Sequence, residues 1–281
     1  MRDIAIATAQ SLTYEQVEVW CNSLDASGFD GLKIVVGKNF TRDTVDRIIS
    51  KKNFIVNSYE DENNTSVYVN RFYQYWNILN NFCPDNIRFV IATDITDVLF
   101  QKNPSIWLEK NLNMYQKNVI VASTEGVRYQ HEPWNNHNMY SAFGADIHSK
   151  HKDTVVYNAG VMAGYFEYMR DLFLNVYLVS KGAPAYVDGG GGPDQAAYNI
   201  VINSAPYKGM VKFSPFADAW AAQLGVSGPS QREKYGDNIL ELAFTMKDDM
   251  ICNGAGEPFT IVHQYNRIPD WKYIGNKYIG V

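Results

Sequence analysis

Residues 88–104, with the sequence RFVIATDITDVLFQKNP, place two aspartates between two apolar runs. The first run, 89–92, has the β-branched and aromatic content of a buried strand. Asp94 and Asp97 follow it directly, and the second run, 98–100, comes next. Isolated carboxylates beside buried strands are costly unless they are paired or bound to a cation. Mg²⁺ or Mn²⁺ would bind these oxygens and leave positions for phosphate oxygens, whereas the simpler alternative is a pair of capping aspartates.

The composition is that of a soluble chain with a sizeable core. The 281 residues are 46% apolar and 14% aromatic, and the net charge is −5 with no basic block. Nucleic-acid binding is therefore disfavoured, because phosphate affinity needs clustered Lys and Arg. No stretch approaches the ~20 apolar residues that span a bilayer. The three cysteines lie far apart without a CxxC pattern. They suit a reducing compartment, so we expect a cytoplasmic protein.

The N-terminal part of the chain predicts a βαβ unit. Residues 4–7 and 32–36 form apolar runs typical of strands, and Thr13 with Gln16 forms a capping-box pattern between them. Strand, helix and strand in this order imply a right-handed crossover and a parallel sheet. The turn predicted to start at Thr8 would then open at the carboxyl edge of the sheet, where open α/β sheets bind ligands.

Two later segments leave alternatives open. A helix is predicted over residues 66–82, in which Arg71 is the one positive charge among aromatic side chains. Arg71 is expected either to reach a phosphate or Asp94, or to lie at the surface as a snorkelling side chain. Residues 124–153 are predicted to be irregular. A loop of this length indicates either a functional element that binds a sugar or a mobile insertion.

Polar residues also stand among glycines in two places. The segment YNAGVMAG, residues 157–164, sets Asn158 among small residues that let the backbone approach a ligand. Four glycines at 189–192 precede a predicted helix start that carries Asp194 and Gln195. This glycine run lacks the Lys-Ser/Thr of a P-loop. Asp194 is either a functional carboxylate or a helix cap.

Four sequence motifs occur in this order along the chain: TDITD followed by VLFQKNP, YNAGVMAG, GGPDQAAYN, and IVHQYNR near the C-terminus. Together they resemble the nucleotide-sugar-dependent glycosyltransferases of the GT-A fold, most closely the retaining, galactosyltransferase- and glycogenin-like group. The resemblance implies an α/β fold with a Rossmann-like mixed sheet flanked by helices. It implies one compact domain over residues 1–281, with a nucleotide-binding half at 1–104 and an acceptor-binding half at 105–281.

The resemblance also implies a metal site. Asp94 and Asp97 stand where the family's DxD motif binds Mn²⁺ (or Mg²⁺) and the donor diphosphate, although the spacing here is DxxD. His263 matches the histidine that completes that site. From the residues alone, a lone histidine at a strand end is more often a satisfied polar group, but imidazole is an acceptable third ligand for Mn²⁺.

Further positions are matched to the donor and the reacting carbon. By resemblance, the DQ pair Asp194 and Gln195 lies beside the reacting carbon and carries catalysis. The remaining assignments concern the donor: Asn158, Ala159 and Gly160 line its sugar, Thr8 contacts the nucleotide base, and Arg71 contacts the sugar or a phosphate. The family's glycine and lysine after the histidine are not matched, and Arg267 or Lys272 is expected to substitute.

The implied activity is transfer of a sugar from a nucleotide sugar, with UDP as the expected nucleotide, to a glycan, lipid or protein acceptor. Retention is expected on resemblance; if the product inverts, Asp194 is the expected base. A dehalogenase-like phosphohydrolase would carry its aspartates just after the first strand, and this chain does not. A sugar nucleotidyltransferase would carry a Gly-rich basic loop there, which TAQSLTY is not. A binding protein that has lost catalysis remains an alternative.

Overall fold

The computed structural model describes residues 1–60, 66–184 and 192–281. Gly189, Gly190 and Gly191 of the glycine run therefore lie outside the described residues. In chain order, the strands are β1 (Arg2–Gln10), β2 (Leu32–Lys38), β3 (Phe54–Ser58), β4 (Ile87–Thr93), β5 (Val98–Phe100), β6 (Ile120–Arg128), β7 (Val155–Tyr165), β8 (Val211–Ser214), β9 (Ala221–Gln223), β10 (Thr245–Lys247), β11 (Met250–Cys252) and β12 (Ile261–His263). The α-helices are α1 (Tyr14–Ala26), α2 (Arg42–Ile49), α3 (Val67–Leu79), α4 (Pro104–Asn111), α5 (Pro133–His151), α6 (Phe166–Ser180), α7 (Asp194–Ile202), α8 (Leu224–Ser227) and α9 (Pro229–Tyr235).

A seven-stranded mixed sheet forms the centre of the domain, in the order β3-β2-β1-β4-β7-β6-β8. Strands β1 to β4 are mutually parallel, whereas β7 runs antiparallel to both of its neighbours. A second, three-stranded sheet has the order β5-β12-β9. Because β5 begins only a few residues after β4 ends, the small sheet is tied to the carboxyl edge of the large one. The predicted mixed α/β architecture is confirmed.

Hydrophobic side chains cover both faces of the large sheet. On one face, Phe72 and Tyr75 of α3 pack against Phe173 of α6. On the other face, the fully buried Trp20 of α1 contacts Phe100 of β5 edge-on. Burial of side chains of this size supplies about 1.5–3 kcal/mol each. Both layers thus hold the carboxyl ends of β4 and β5 in fixed positions.

The predicted βαβ unit at the N-terminus is confirmed in its order of elements, its capping box and its parallel strands. The capping box forms, with Thr13 N donating to Gln16 Oε1 at 2.9 Å, and β1 and β2 are parallel. The turn expected at Thr8 is wrong, because β1 continues to Gln10 and Thr8 pairs with Val36 inside the sheet. The chain turns instead at Ser11, whose φ is 54°.

The prediction that residues 124–153 are irregular is also wrong. β6 continues to Arg128, and α5 follows after a short 3-10 turn. The side chain of Glu132 caps α5 by accepting from Asn135 N at 2.6 Å, and Pro133 occupies the first turn. The segment has few apolar positions, and a φ of 77° at Gly144 interrupts the helix, so no periodic pattern marks it in the sequence.

Across the part of the chain that the structure describes, no helix combines the length and the apolar character needed to cross a membrane.

Candidate active site

The two sheets meet at the candidate metal ligands. β4 ends one residue before Asp94, whose backbone N–H donates to Gly160 O of β7 at 2.9 Å. Asp97 directly precedes β5, and β5 pairs antiparallel with β12, which ends at His263. A backbone bond from Gln264 N to Asp97 O, 2.6 Å long, closes the arrangement. Strand pairing therefore brings together residues from the middle and the end of the chain.

The three side chains converge on one point. Their ligand atoms all lie within 4.8 Å of one another. His263 Nε2 lies 3.3 Å from Asp94 Oδ2 and 3.5 Å from Asp97 Oδ1. The other ring nitrogen, Nδ1, lies 2.7 Å from Gln223 Oε1 on β9. Because an amide oxygen only accepts, Nδ1 donates its hydrogen to Gln223, and in the neutral ring Nε2 has a lone pair for a ligand.

These residues fit a hard divalent cation. Two carboxylates with one imidazole suit Mn²⁺ and also Mg²⁺. His263 Nε2 is buried and makes no well-formed hydrogen bond, and its nearest polar neighbours are the two carboxylates that would share a cation with it. A Cβ at Gly160 would lie 2.5 Å from His263 Cε1 and 2.7 Å from Asp94 Oδ2. Glycine at this position therefore keeps the space between the ligands open.

The charges of the cluster shift the pKa values of its members. Burial by itself lowers the pKa of His263, but the Asp97 and Asp94 carboxylates outweigh it and raise that pKa to about 9. Burial by itself raises the pKa of Asp94, but Arg71 and His263 outweigh it and hold the pKa below its usual range. Without metal, the His263 ring is therefore protonated at neutral pH, and a cation must displace that proton.

We expect the metal-free protein to become less stable as the pH rises through this window. A histidine with a raised pKa stabilises the fold fully below about pH 6.5 and loses that contribution as the pH passes about 9. The loss is on the order of 3 kcal/mol, at about 1.4 kcal/mol per pKa unit. Urea unfolding in EDTA measures it, with His263→Gln as the control. Identical pH profiles for the two proteins would contradict the expectation.

Arg71 lies buried between two carboxylates. On α3, its Nη1 forms an ion pair with Asp94 Oδ1, and its Nη2 lies 2.7 Å from Asp194 Oδ2. Burial raises the pKa of Asp194 even though the Arg71 charge acts in the opposite direction. Of the alternatives for Arg71, the structure shows the contact with Asp94, and contact with a phosphate stays a prediction.

The predicted sugar-binding residues and the predicted catalytic pair form one hydrogen-bond network. Asn158 Oδ1 accepts from Gly160 N at 2.6 Å, and Gln195 Oε1 accepts from Ala159 N at 3.1 Å. The amide nitrogens of the same two side chains both donate to Glu125 Oε1, at 2.6 Å from Asn158 and 3.2 Å from Gln195. The network fixes both amides relative to the backbone of β7.

Sequence reasoning missed Glu125 and Gln223. Glu125 is only 3% exposed; burial raises its pKa, and the hydrogen bond from Asn158 acts in the opposite direction. The available signal is an acidic residue soon after the apolar run 119–122. Because residues 124–153 are predicted to be irregular, the sequence does not place Glu125 at a strand. Gln223 carries no comparable signal, because only strand pairing places it beside His263.

A cleft of about 560 Å³ contains the site. Of the predicted site residues, all but Thr8, Asp97 and Lys272 line it. Asp97 still belongs to the metal cluster, whereas Thr8 lies within β1 beside Tyr75. Trp134, Lys234 and Arg267 also line the cleft, and the last two are exposed. Lys272, the alternative to Arg267, does not line it.

Comparison with known proteins identifies the fold. No family model and no curated protein matches the chain. Among solved structures, the chain is similar to the galactosyltransferase LgtC, whose crystal structure is a complex with donor and acceptor sugar analogues. The TM-score is 0.58 at 13% sequence identity, over 99% of this chain and 97% of that one. The chain thus has a GT-A glycosyltransferase fold, as the resemblance implied.

Proposed function

We propose that this protein is a metal-dependent glycosyltransferase that moves a sugar from a nucleotide-sugar donor, with UDP as the nucleotide, to a hydroxyl group of an acceptor. One observation carries the proposal: Asp94 and His263 line the cleft of a GT-A fold, and their ligand atoms lie within 4.8 Å of that of Asp97 and of each other. A glycan is the favoured acceptor over a lipid or a protein, because LgtC was crystallised with an acceptor sugar analogue.

The cleft offers charges that suit a diphosphate leaving group. Breaking the sugar–phosphate bond places negative charge on the leaving phosphate, and a divalent cation held here, Mn²⁺ (or Mg²⁺), would supply stabilisation of that charge. Asp94, Asp97 and His263 would hold the cation. Arg267 lines the same cleft and has no ion pair with any described residue, so its guanidinium is available to a phosphate.

Asp194 is the proposed catalytic carboxylate. Arg71 Nη2 holds Asp194 Oδ2, and burial raises the pKa of Asp194, a direction that would favour its use as a base if the product inverted. If the product retains configuration, as we propose, Asp194 and Gln195 lie on the far side of the sugar and the leaving phosphate takes the acceptor proton. The Gln195 amide is held by Ala159 and Glu125, so its contribution is to orient rather than to transfer protons.

Two broader assignments belong to the same proposal. Residues 1–104 supply Asp94 and Asp97, which supports a nucleotide-binding role for that half, and residues 105–281 would bind the acceptor. The three cysteines form no disulfide, which supports a cytoplasmic location because disulfides are rare in a reducing compartment.

A panel of nucleotide sugars tests the proposal. We expect one UDP-sugar with Mn²⁺ to raise the melting temperature above that with Mn²⁺ alone. The gain is about 2.7 kcal/mol at a ligand concentration of about 100 times Kd. The same mixture should release UDP slowly by transfer to water, and EDTA should stop the release. GDP-, ADP- and CMP-sugars serve as controls. Absence of both stabilisation and release with every donor would refute the proposal.

A further inference from the structure

Three side-chain amides direct their NH₂ groups at one buried carboxylate. Glu125 Oε1 accepts from Asn158 Nδ2 at 2.6 Å and from Gln195 Nε2 at 3.2 Å. Glu125 Oε2 accepts from Asn135 Nδ2 at 3.0 Å. The three amides come from β7, α7 and α5, so Glu125, within β6, connects its own strand to three other elements around the cleft.

None of these amides can rotate by half a turn without losing a second bond. Gln195 Oε1 accepts from Ala159 N at 3.1 Å, and Asn158 Oδ1 accepts from Gly160 N at 2.6 Å. Asn135 Oδ1 accepts from Gln195 Nε2 at 2.7 Å. Every amide oxygen is thus committed elsewhere, and every NH₂ must point at position 125. Only a side chain that accepts at both ends satisfies all three donors, and an ionised carboxylate is such a group.

We infer that Glu125 is a positioning residue: it fixes the amide orientations of Asn158 and Gln195 and, through them, the backbone at 159–160 against which the donor sugar is placed. The role of Glu125 in placing the donor sugar rests on the proposed function, whereas the hydrogen bonds that Glu125 accepts do not depend on it. Buried networks of this kind hold a unique arrangement only when every member is satisfied.

Glu125→Gln is the discriminating variant, because it keeps the shape and replaces one acceptor by an NH₂ group. That NH₂ must face another NH₂ wherever it is placed, so at least one amide has to turn. Misplacement of about 1 Å near a reacting centre costs about 100-fold in rate. We expect kcat for UDP-sugar hydrolysis to fall by about 100-fold, while the Kd for UDP with Mn²⁺, which has no sugar, stays unchanged.

The amides themselves provide a second readout that needs no substrate. In ¹⁵N-labelled, ligand-free protein, the side-chain NH₂ resonances of Asn158 and Gln195 should move in Glu125→Gln and return toward their original positions in Glu125→Asp, which keeps the carboxylate. Glu18→Gln is the matched control. Glu18 is a buried carboxylate on α1 that accepts from Gly280 N at 2.9 Å outside this cleft, and the change should move neither resonance nor kcat.

The outcomes separate this inference from the proposed function. If the Asn158 and Gln195 resonances stay in place in Glu125→Gln, the positioning role is overturned, whatever the activity. If they move but kcat is unaffected, Glu125 serves stability alone and the role is likewise overturned. If the wild-type protein acts on no nucleotide sugar but the resonances move as expected, the proposed function fails, and the amide network is supported independently.

Discussion

Replacing Asp97 by Asn, or His263 by Ala, is expected to remove metal-dependent sugar transfer while the fold survives. Both side chains supply ligand atoms to the cluster whose members lie within 4.8 Å of one another. A bound metal contributes several kcal/mol of charge stabilisation in the transition state, so we expect about a 1,000-fold loss or more. Steady-state release of UDP at saturating Mn²⁺ measures turnover, and circular dichroism follows the fold.

Two further variants test whether the loss of turnover arises from loss of the metal rather than from a general change in the cleft. Gln223→Leu removes the acceptor that orients His263, which lies 2.7 Å from it, and should weaken Mn²⁺ binding by about 10- to 100-fold. Asp25→Asn is the matched control, because Asp25 is ion-paired to Lys33 away from the cleft. It should keep both metal affinity and turnover. Unchanged turnover in Asp97→Asn or His263→Ala would count decisively against the assigned centre.

The part of this centre that local sequence can predict is the half carried by β4 and β5. Apolar runs on both sides of Asp94 and Asp97 set two strand ends, and a carboxylate at a strand end is a local pattern. His263 is predicted as a ligand only by resemblance, because a single histidine after a short apolar run does not by itself indicate a metal site. Its position depends on the pairing of β5 with β12, which is a long-range contact.

The side of the cleft that α5 forms was less predictable for a physical reason. α5 is stabilised by a Glu132 cap and by polar contacts such as Asn135 to Glu125, and only one large apolar side chain, Met139, is buried on it. Hydrophobic periodicity, the main sequence signal for a helix, is consequently absent. The same polar packing buries Glu125, so a residue that accepts from three side-chain amides lies in a segment that the sequence predicts to be irregular.

Arg71→Met is expected to destabilise the metal-free protein and to stop turnover. Arg71 is 8% exposed and is ion-paired to both Asp94 and Asp194. Its loss leaves the buried Asp194 and the partly exposed Asp94 without their shared cation. Breaking a fully buried pair costs about 3–5 kcal/mol, and we expect a smaller loss here because solvent screens Asp94. Arg88→Met is the matched control, because Arg88 also pairs with two carboxylates, Asp3 and Glu109, outside the cleft. It should retain turnover.

A double-mutant cycle with Asp194→Asn then shows what Arg71 does. If the cost arises from repulsion between Asp94 and Asp194, neutralising Asp194 should restore part of the stability lost in Arg71→Met, with a coupling of about 0.5–3 kcal/mol. Saturating Mn²⁺ should also reduce the cost, because the cation replaces Arg71 as the partner of Asp94. Turnover should stay at least about 100-fold down in the double variant, since Asp194 is the proposed catalytic carboxylate. Additive stability losses, unaffected by Mn²⁺, would mean that Arg71 acts through packing alone and that no shared charge links the metal centre to the reacting group.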